Sequence, residues 1–291
     1  MSSAQLLPEA PFEPQHFIRA RSPRVYDYLL GGHEHYACDR EAATAVRRTA
    51  EWVVEAARIN RDFALQSVQV TLDLGVRQFL DLGCGLPGNR NVHEIAEQAP
   101  GSTTVYVDRD YEACLHTALR PDESPSMRVI HADLLAMDQL LASEAVCAAL
   151  DRTRPVAVLL HDVLPWCGND TAVHAAMATL RAWMPPGSTL SITHLTDHWH
   201  RATMPDTVAA YASHGLHVRP RCQEEIADLF ADFDQQGLGL TATGRWHSSS
   251  RHTRYVQHRL DVHSAAFAGI AVKPTPGRNP PAHSGPAPRP A

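Results

Sequence analysis

A doubly wound α/β fold is what this chain of 291 residues predicts, with a mostly parallel sheet, an antiparallel edge strand and a group of helices in front. Three observations carry the prediction. From Arg77 onward, short apolar runs of strand length alternate with helical segments, the rhythm of a parallel sheet with crossover helices. The first run ends in a glycine-bearing turn, Asp81-Leu82-Gly83-Cys84-Gly85. The next two runs each end in an acid, Asp108 and Asp133.

Residues 1–18 carry Pro8, Pro11 and Pro14 without sustained periodicity and read as a loosely ordered arm. A helical cover is expected over 19–75. Its first helix can be capped by Ser22, with Pro23 at the first helical position; Val25, Tyr28 and Leu29 form one face, and Gly31-Gly32 stops it. Asp39 opens a longer amphipathic stretch through Val46, Val53, Val54 and Ala57, and another runs from Asn60 to Leu74. These helices are expected to pack over the domain as a lid.

The sheet domain is expected over 76–262, with seven strands. They are Gln78-Leu80, Thr104-Val107, Met127-His131, Val156-Leu160, Thr189-Thr193, Gly239-Thr243 and Arg254-His258; the late, closely spaced pair is what predicts the antiparallel edge. Residues 263–291 read as a Pro-rich tail. From Lys273 onward, KPTPGRNPPAHSGPAPRPA cannot bury enough apolar surface to offset its ordering entropy, so disorder is expected there.

The net charge of -6 comes from 26 basic and 32 acidic residues spread along the chain, which leaves no basic stripe for nucleic acid. Six cysteines without a C-x-x-C pair fit buried thiols in a reducing compartment. There is neither a signal-like start nor an apolar run long enough to span a bilayer, so a soluble cytoplasmic protein with no membrane partner is expected. Lys273 is the only lysine amid abundant Arg, Ala and His, a bias that suggests a GC-rich bacterial gene.

The glycine loop lets the backbone turn sharply and approach a ligand without Cβ clashes. Gly83, Gly85 and Gly88 satisfy G-x-G-x-x-G, a spacing shared by dinucleotide and S-adenosylmethionine sites. The acids separate the two. Asp81 would oppose a pyrophosphate at short range, whereas beside the ammonium and sulfonium of S-adenosylmethionine its charge is favourable. Asp108 can accept both ribose hydroxyls, and Asp133 suits the adenine amine. The plainer alternative is that Asp108 and Asp133 only cap the helices that follow them.

With RVYDYLLGG at Arg24-Gly32, DREAA at Asp39-Ala43, NRDF at Asn60-Phe63, RQFLDLGCGLP at Arg77-Pro87, NVHE at Asn91-Glu94 and YVDRD at Tyr106-Asp110, the chain resembles a family of S-adenosylmethionine-dependent methyltransferase-like proteins. The likeness runs from Arg21 to the region of Trp246. It implies a Rossmann-like class I methyltransferase fold with an N-terminal helical addition. It also implies that Asp81, Gly83 and Gly85 surround the methionine portion, that Asp108 with Arg109 lies at the ribose, and that Asp133 with Leu134 lies near adenine. Tyr28, Gly31 and Gly32 would cover the cofactor. The chain departs from the family pattern where Arg109-Asp110-Tyr111 replaces an Asn-Asp-Pro run and where Leu164-Pro165-Trp166 replaces a Leu-His-Phe run, which points to a diverged acceptor pocket.

Methyl transfer is an in-line displacement with a good leaving group already in place, so positioning can do most of the work. Candidates for a base or an acceptor anchor are His161 and Asp162 after the fourth strand and His194 after the fifth, each with a purely structural alternative. No metal is expected, because neither His194, His198 and His200 nor His252, His258 and His263 have zinc-motif spacing. Trp166, Trp199 and Trp246 could line a substrate pocket, although aromatics at loop–strand junctions are more often packing residues. The reading is a methyltransferase acting on a small molecule. Its alternatives are an NAD-dependent oxidoreductase and a cofactor-binding regulator without catalysis.

Overall fold

The computed structural model describes residues 17–119, 124–246 and 261–275. The arm before residue 17, the strand expected at Arg254-His258 and the tail after residue 275 lie outside the described residues.

Three helices come first: α1 (Ser22–Leu30), α2 (Ala37–Thr49) and α3 (Val53–Asp73). Arg21, rather than Ser22, is the N-cap of α1, and Pro23 lies in its first turn. Gly31 ends the helix at φ 84°, and its N–H and that of Gly32 bond back to the carbonyls of Tyr28 and Asp27. In α2, Asp39 is the third residue of a capping box with Tyr36, two residues inside the helix it was expected to open. The break between α2 and α3 falls at Ala50, whose φ of -138° leaves the helical region, so Val53, Val54 and Ala57 belong to α3.

The chain then alternates through β1 (Gln78–Leu82), α4 (Val92–Ala96), β2 (Thr103–Asp108), α5 (Tyr111–Ala118), β3 (Met127–His131), α6 (Met137–Ala142), α7 (Glu144–Ala149), β4 (Ala157–His161), α8 (Asp170–Trp183) and β5 (Thr189–Leu195). After these come α9 (Met204–Ala212), α10 (Gln223–Asp228), β6 (Asp234–Gln235), β7 (Thr241–Ala242), α11 (Asp261–Ser264) and β8 (Ala266–Val272). The strand order is β3-β2-β1-β4-β5-β8-β6, with β7 also on β8. The first five strands are parallel, and β8 runs antiparallel to β5 over seven residue pairs from Thr189↔Val272 to Leu195↔Ala266.

The sheet therefore has eight strands among the described residues rather than seven, and its long antiparallel strand is Ala266–Val272. That stretch falls within the residues expected to form the tail. Its alanines and Gly269 are small because the layer above is close: a Cβ on Gly269 would come to 3.0 Å from the Phe230 ring.

Both faces of the sheet are covered, as parallel strands require. Leu80, Leu82, Val158, Leu160 and Ile192 pack on one face with residues of α6 and α8. Phe79, Tyr106 and Leu159 pack on the other with Val68 and Leu72 of α3 and Ile95 of α4. A further cluster joins Val25 and Leu29 of α1 and Ala42 and Val46 of α2 to Tyr211, Leu216 and Val218. The cover is thus built from α1, α2 and the segment around α9, while the second half of α3 is part of the sheet layer.

Candidate functional site

The chain passes from β1 through β2 to β3 on one side of the sheet and then returns to place β4 on the other side of β1. At such a reversal the loops after adjacent strands diverge and leave a crevice at their carboxyl ends. A cavity of about 970 Å³, open at its mouth, occupies that position. Asp81, Gly83, Gly85, Asp108, Arg109, Asp133, Leu134, His161 and Asp162 all line it. It therefore brings together nine residues singled out in the sequence.

The glycine loop is held by main chain. Gly83 N–H and Cys84 N–H both donate to the Val107 carbonyl, at 2.7 and 3.2 Å. Gly83 stands at φ 77° and Gly85 at φ 64°, and a Cβ on Gly83 would lie 2.2 Å from Val163. Asp108 pins the loop from the neighbouring strand: its Oδ2 accepts from Gly85 N–H and its Oδ1 from Asp110 N–H, each at 2.8 Å. One lone pair per oxygen remains available. Asp110, not Asp108, caps α5 by accepting from Glu112 N–H and Ala113 N–H. Asp133 does cap a turn, accepting from Leu135 N–H at 2.9 Å, but it is exposed at the cavity rim.

Asp81 is buried at the end of β1 and takes no hydrogen bond among the described residues. Burial pushes its carboxyl up to about 7, opposed by the Arg61 guanidinium. Arg61 reaches across from α3 and is fixed by the Arg90 carbonyl at 2.6 Å and Asn91 Oδ1 at 3.0 Å.

His161 and Asp162 behave differently. The His161 ring is turned into the protein, with Nε2 2.9 Å from Ser191 Oγ and the Phe63 ring edge-on. Burial holds it down at about 3, so it is a neutral imidazole. Asp162 stands at φ 56°, a left-handed conformation that Asp tolerates better than most residues. Its carboxylate takes no hydrogen bond among the described residues, and burial alone raises it to about 7.

His194 lies away from the cavity. It is fully buried, its Nε2 is 2.7 Å from Arg221 Nη1, and its Nδ1 is 2.8 Å from the Leu195 carbonyl. Arg221 has only protons to give, so Nε2 is the acceptor and Nδ1 carries the hydrogen. The same guanidinium holds the Leu164 and Cys167 carbonyls, which places His194 in a bracket for the loop after β4.

Tyr28, Gly31 and Gly32 are also outside the cavity. Tyr28 packs edge-on against His35, and a Cβ on Gly32 would strike the Asp27 carboxylate. On a helix, residues two apart point to nearly opposite sides, and Tyr26 is the tyrosine that faces the cavity, together with Ser22 and Pro23. Tyr26 Oη donates to the Ala57 carbonyl at 3.0 Å and accepts from Asn60 Nδ2 at 2.8 Å. Tyr26, Asn60 and Arg61 are among the cavity residues not singled out from the sequence as site residues. The signal was present in the NRDF run, which supplies two of them.

The aromatic and histidine clusters resolve into packing. Trp246 Nε1 donates to the Ala268 carbonyl, and Trp199 lies on Phe267. His200 stacks on Trp52, and His198 meets Trp199 and Phe267. No three of the described His, Cys, Asp and Glu residues gather around a possible metal position. His252 and His258 lie outside the described residues. Trp166 is different, because it lines the cavity and also a second one behind it. This inner cavity, whose empty space of about 610 Å³ includes open solvent, shares Tyr26, Asn60, Asp162 and Trp166 with the first.

A parallel sheet with this order, an antiparallel strand beside β5, and a glycine loop flanked by acids at the reversal point define the class I methyltransferase fold. The chain belongs to the S-adenosyl methyltransferase family, which it matches over residues 14–274. It is similar to the crystal structure of a DUF574 family protein from Streptomyces avermitilis, with 29% identity, 89% of this chain and 99% of that chain covered and a TM-score of 0.81. It is equally similar to a protein from Thermobifida fusca assigned as a candidate methyltransferase, with 28% identity, 91% and 99% covered and a TM-score of 0.82. No curated protein matches the chain. The protein is an S-adenosylmethionine-dependent methyltransferase, which replaces the oxidoreductase and regulator alternatives.

Proposed function

We propose that the outer cavity holds S-adenosylmethionine and presents its methyl group to a small-molecule acceptor. The observation that carries this reading is the pairing of Asp81 and Asp108 around the Gly83–Gly85 turn. One buried carboxylate there lacks a partner among the described residues, and the other fixes the loop while keeping acceptor capacity. When bound, S-adenosylmethionine supplies a methyl group on a positively charged sulfur that leaves as a neutral thioether.

The chain's own residues do the rest. Asp81 offers a negative charge in a dry setting, where it interacts more strongly with a cation than it would in water. Asp108 with Arg109 receives the ribose, and Asp133 with Leu134 the adenine. Gly83 keeps the space that a side chain would fill. Tyr26, Ser22 and Pro23 of α1 close the outer side and limit water entry. His161, neutral and turned inward, sets the end of β4, and Asp162 faces the reacting region.

A small acceptor is supported by the apolar and aromatic inner cavity beside the outer one and by the acidic balance of the chain, which does not favour nucleic acid. No helix among the described residues is long and apolar enough to cross a membrane. All six cysteines are free thiols, which supports a bacterial cytoplasmic setting.

Isothermal titration of the purified protein with S-adenosylhomocysteine tests the reading. Saturable binding is expected, with Asp81→Asn and Asp108→Ala each weakening it at least about tenfold, the loss of one charge-assisted hydrogen bond or more. Absence of binding at millimolar ligand would overturn it.

A further inference from the structure

The inner cavity lies behind the outer one, between α1, α3 and the segment around α9. Its walls are apolar and aromatic: Leu29, Trp52, Ala57, Trp166, Tyr211 and Val218 are among them. Some of the polar groups in these walls are satisfied by hydrogen bonds. Tyr26 Oη is bonded to the Ala57 carbonyl and to Asn60, Asn60 Oδ1 accepts from Thr193 Oγ1 at 2.5 Å, and Ser264 Oγ accepts from Gly244 N–H at 2.9 Å. Asp162, the acid in this lining, is not among them, and neither Tyr211 Oη nor the Trp52 and Trp166 indole N–H groups take a hydrogen bond among the described residues. Asp162 stands where the two cavities meet, and its carboxylate takes no hydrogen bond among the described residues. No Lys, Arg or His side chain lines the inner cavity, whereas Arg61, Arg109 and the neutral His161 line the outer one that Asp162 also faces.

We propose that the inner cavity is the acceptor chamber and that it takes an apolar molecule bearing a basic amine, whose nitrogen is held by Asp162 at the boundary with the methyl-donor cleft. The proposal rests on the reading of that outer cleft given above. A half-buried carboxylate without a partner carries a desolvation cost, and each candidate acceptor offsets it to a different degree. A carboxylate acceptor adds a second negative charge. An alcohol supplies one neutral hydrogen bond. An ammonium supplies a charge-assisted bond, the strong kind, and its positive charge is also attracted to the faces of Trp and Tyr rings. Trp52, Trp166, Tyr26 and Tyr211 provide those rings at the chamber wall.

Asp162 also answers a chemical need. An ammonium has no lone pair to donate, so the nitrogen must lose one proton before it can act as a nucleophile. The carboxylate bonded to that N–H is placed to receive the proton, one N–H bond breaking as one O–H bond forms. Burial raises the Asp162 carboxyl to about 7, closer to an amine than an ordinary carboxylate is, which eases the transfer.

The tryptophans of the chamber supply the readout. The full-length protein is titrated, by intrinsic fluorescence, with 2-phenylethylamine, 2-phenylethanol and 3-phenylpropionate, and separately, by calorimetry, with S-adenosylhomocysteine. The amine is expected to bind at least about tenfold more tightly than either isostere. Asp162→Asn keeps a residue tolerant of the left-handed backbone and is expected to erase that preference, with S-adenosylhomocysteine affinity changed by less than about threefold. Ala56→Phe fills the chamber and is expected to abolish probe binding while the cofactor product still binds.

Equal binding of the three probes, no binding of any, or an amine preference that survives Asp162→Asn overturns the proposal. So does a Asp162→Asn variant that loses S-adenosylhomocysteine together with the amine, because Asp162 would then serve the donor. Failure of the wild type to bind S-adenosylhomocysteine would instead overturn the reading of the outer cleft, and the amine preference would still be read on its own.

Discussion

Arg221 donates to His194 Nε2 at 2.7 Å, so the nitrogen of His194 that could act as a base is already occupied. Burial, with the nearby guanidiniums, holds this imidazole down at about 3. A group that stays neutral above pH 5 cannot produce a limb in a rate profile near neutrality. His194→Leu is therefore expected to leave the shape of the pH profile of kcat unchanged. It should lower stability by about 1–3 kcal/mol, the cost of leaving a buried donor without its acceptor. A urea unfolding series alongside the pH profile checks both; a lost or displaced limb with unchanged stability would return His194 to the mechanism.

Asp81 sets function against stability. Its carboxyl is raised to about 7 in the fold from an ordinary value of 3.8. The folded state therefore holds its proton more tightly than the unfolded state does. That contribution to stability is fully present below pH 4 and is lost as pH rises through 7. Asp81→Asn removes the loss. The ligand-free variant is expected to melt on the order of 10 °C higher than wild type at pH 8, a gain of about 4 kcal/mol, with little difference at pH 4. Scanning calorimetry at the two pH values is the measurement. The same protonation predicts that wild-type affinity for S-adenosylmethionine weakens as pH falls below 7.

The cover is tied to the sheet domain through one buried cation. Arg24 of α1 is 1% exposed, and it meets Asp39 of α2 and Glu112 of α5 at 2.9 Å each. Removing it leaves the fully buried Asp39 carboxylate without its counter-charge, held among the described residues only by the Arg21 and Tyr36 N–H groups. Arg24→Met is expected to cost about 3–5 kcal/mol. Because the bond to Glu112 crosses between the two layers, the loss should be accompanied by faster proteolysis within α1 and α2. A double variant with Asp39→Asn should recover part of the stability.

Gly83→Ala would need a Cβ where Val163 already stands, on a backbone at φ 77°. Loss of S-adenosylhomocysteine binding by more than about tenfold is expected, with a stability cost of about 1–2 kcal/mol. Gly101→Ala is the control. It has the same sign of φ but nothing within 4 Å of the added Cβ, so it should strain the backbone alone and leave binding intact.

What the sequence made legible follows burial chemistry. Strands β1, β2, β4 and β5 stand out because both of their faces are covered, which favours apolar runs such as residues 157–160. Their carboxyl ends stand out because Asp81, Asp108 and Asp162 interrupt apolar surroundings. β8 hides for the opposite reason: pressed under Phe230, AFAGIAV has small side chains and a central glycine, and it adjoins a proline-rich stretch. The family resemblance implies Tyr28 at the cofactor, whereas Tyr26 lines the cavity, because a motif does not tell which side of α1 meets the sheet. α9 carries no motif at all, and its place in the cover depends on packing between segments more than 150 residues apart, Val46 against Tyr211 for example.

The position of β8 bears on how the chain is made. β5 has its outer neighbour only after Ala266 has been added, because β6 and β7 pair with β8 and not with β5. Until then, a strand of seven residues with a buried interior presents open N–H and C=O groups, the arrangement that recruits strands from other molecules. A nascent or prematurely terminated chain would therefore carry nearly the whole donor site, from Asp81 to Asp162, on a sheet with one unguarded side. Such fragments are expected to be lost to aggregation or degradation before they can bind anything, so the last strand to be synthesised acts as a quality check on the site formed by the first four.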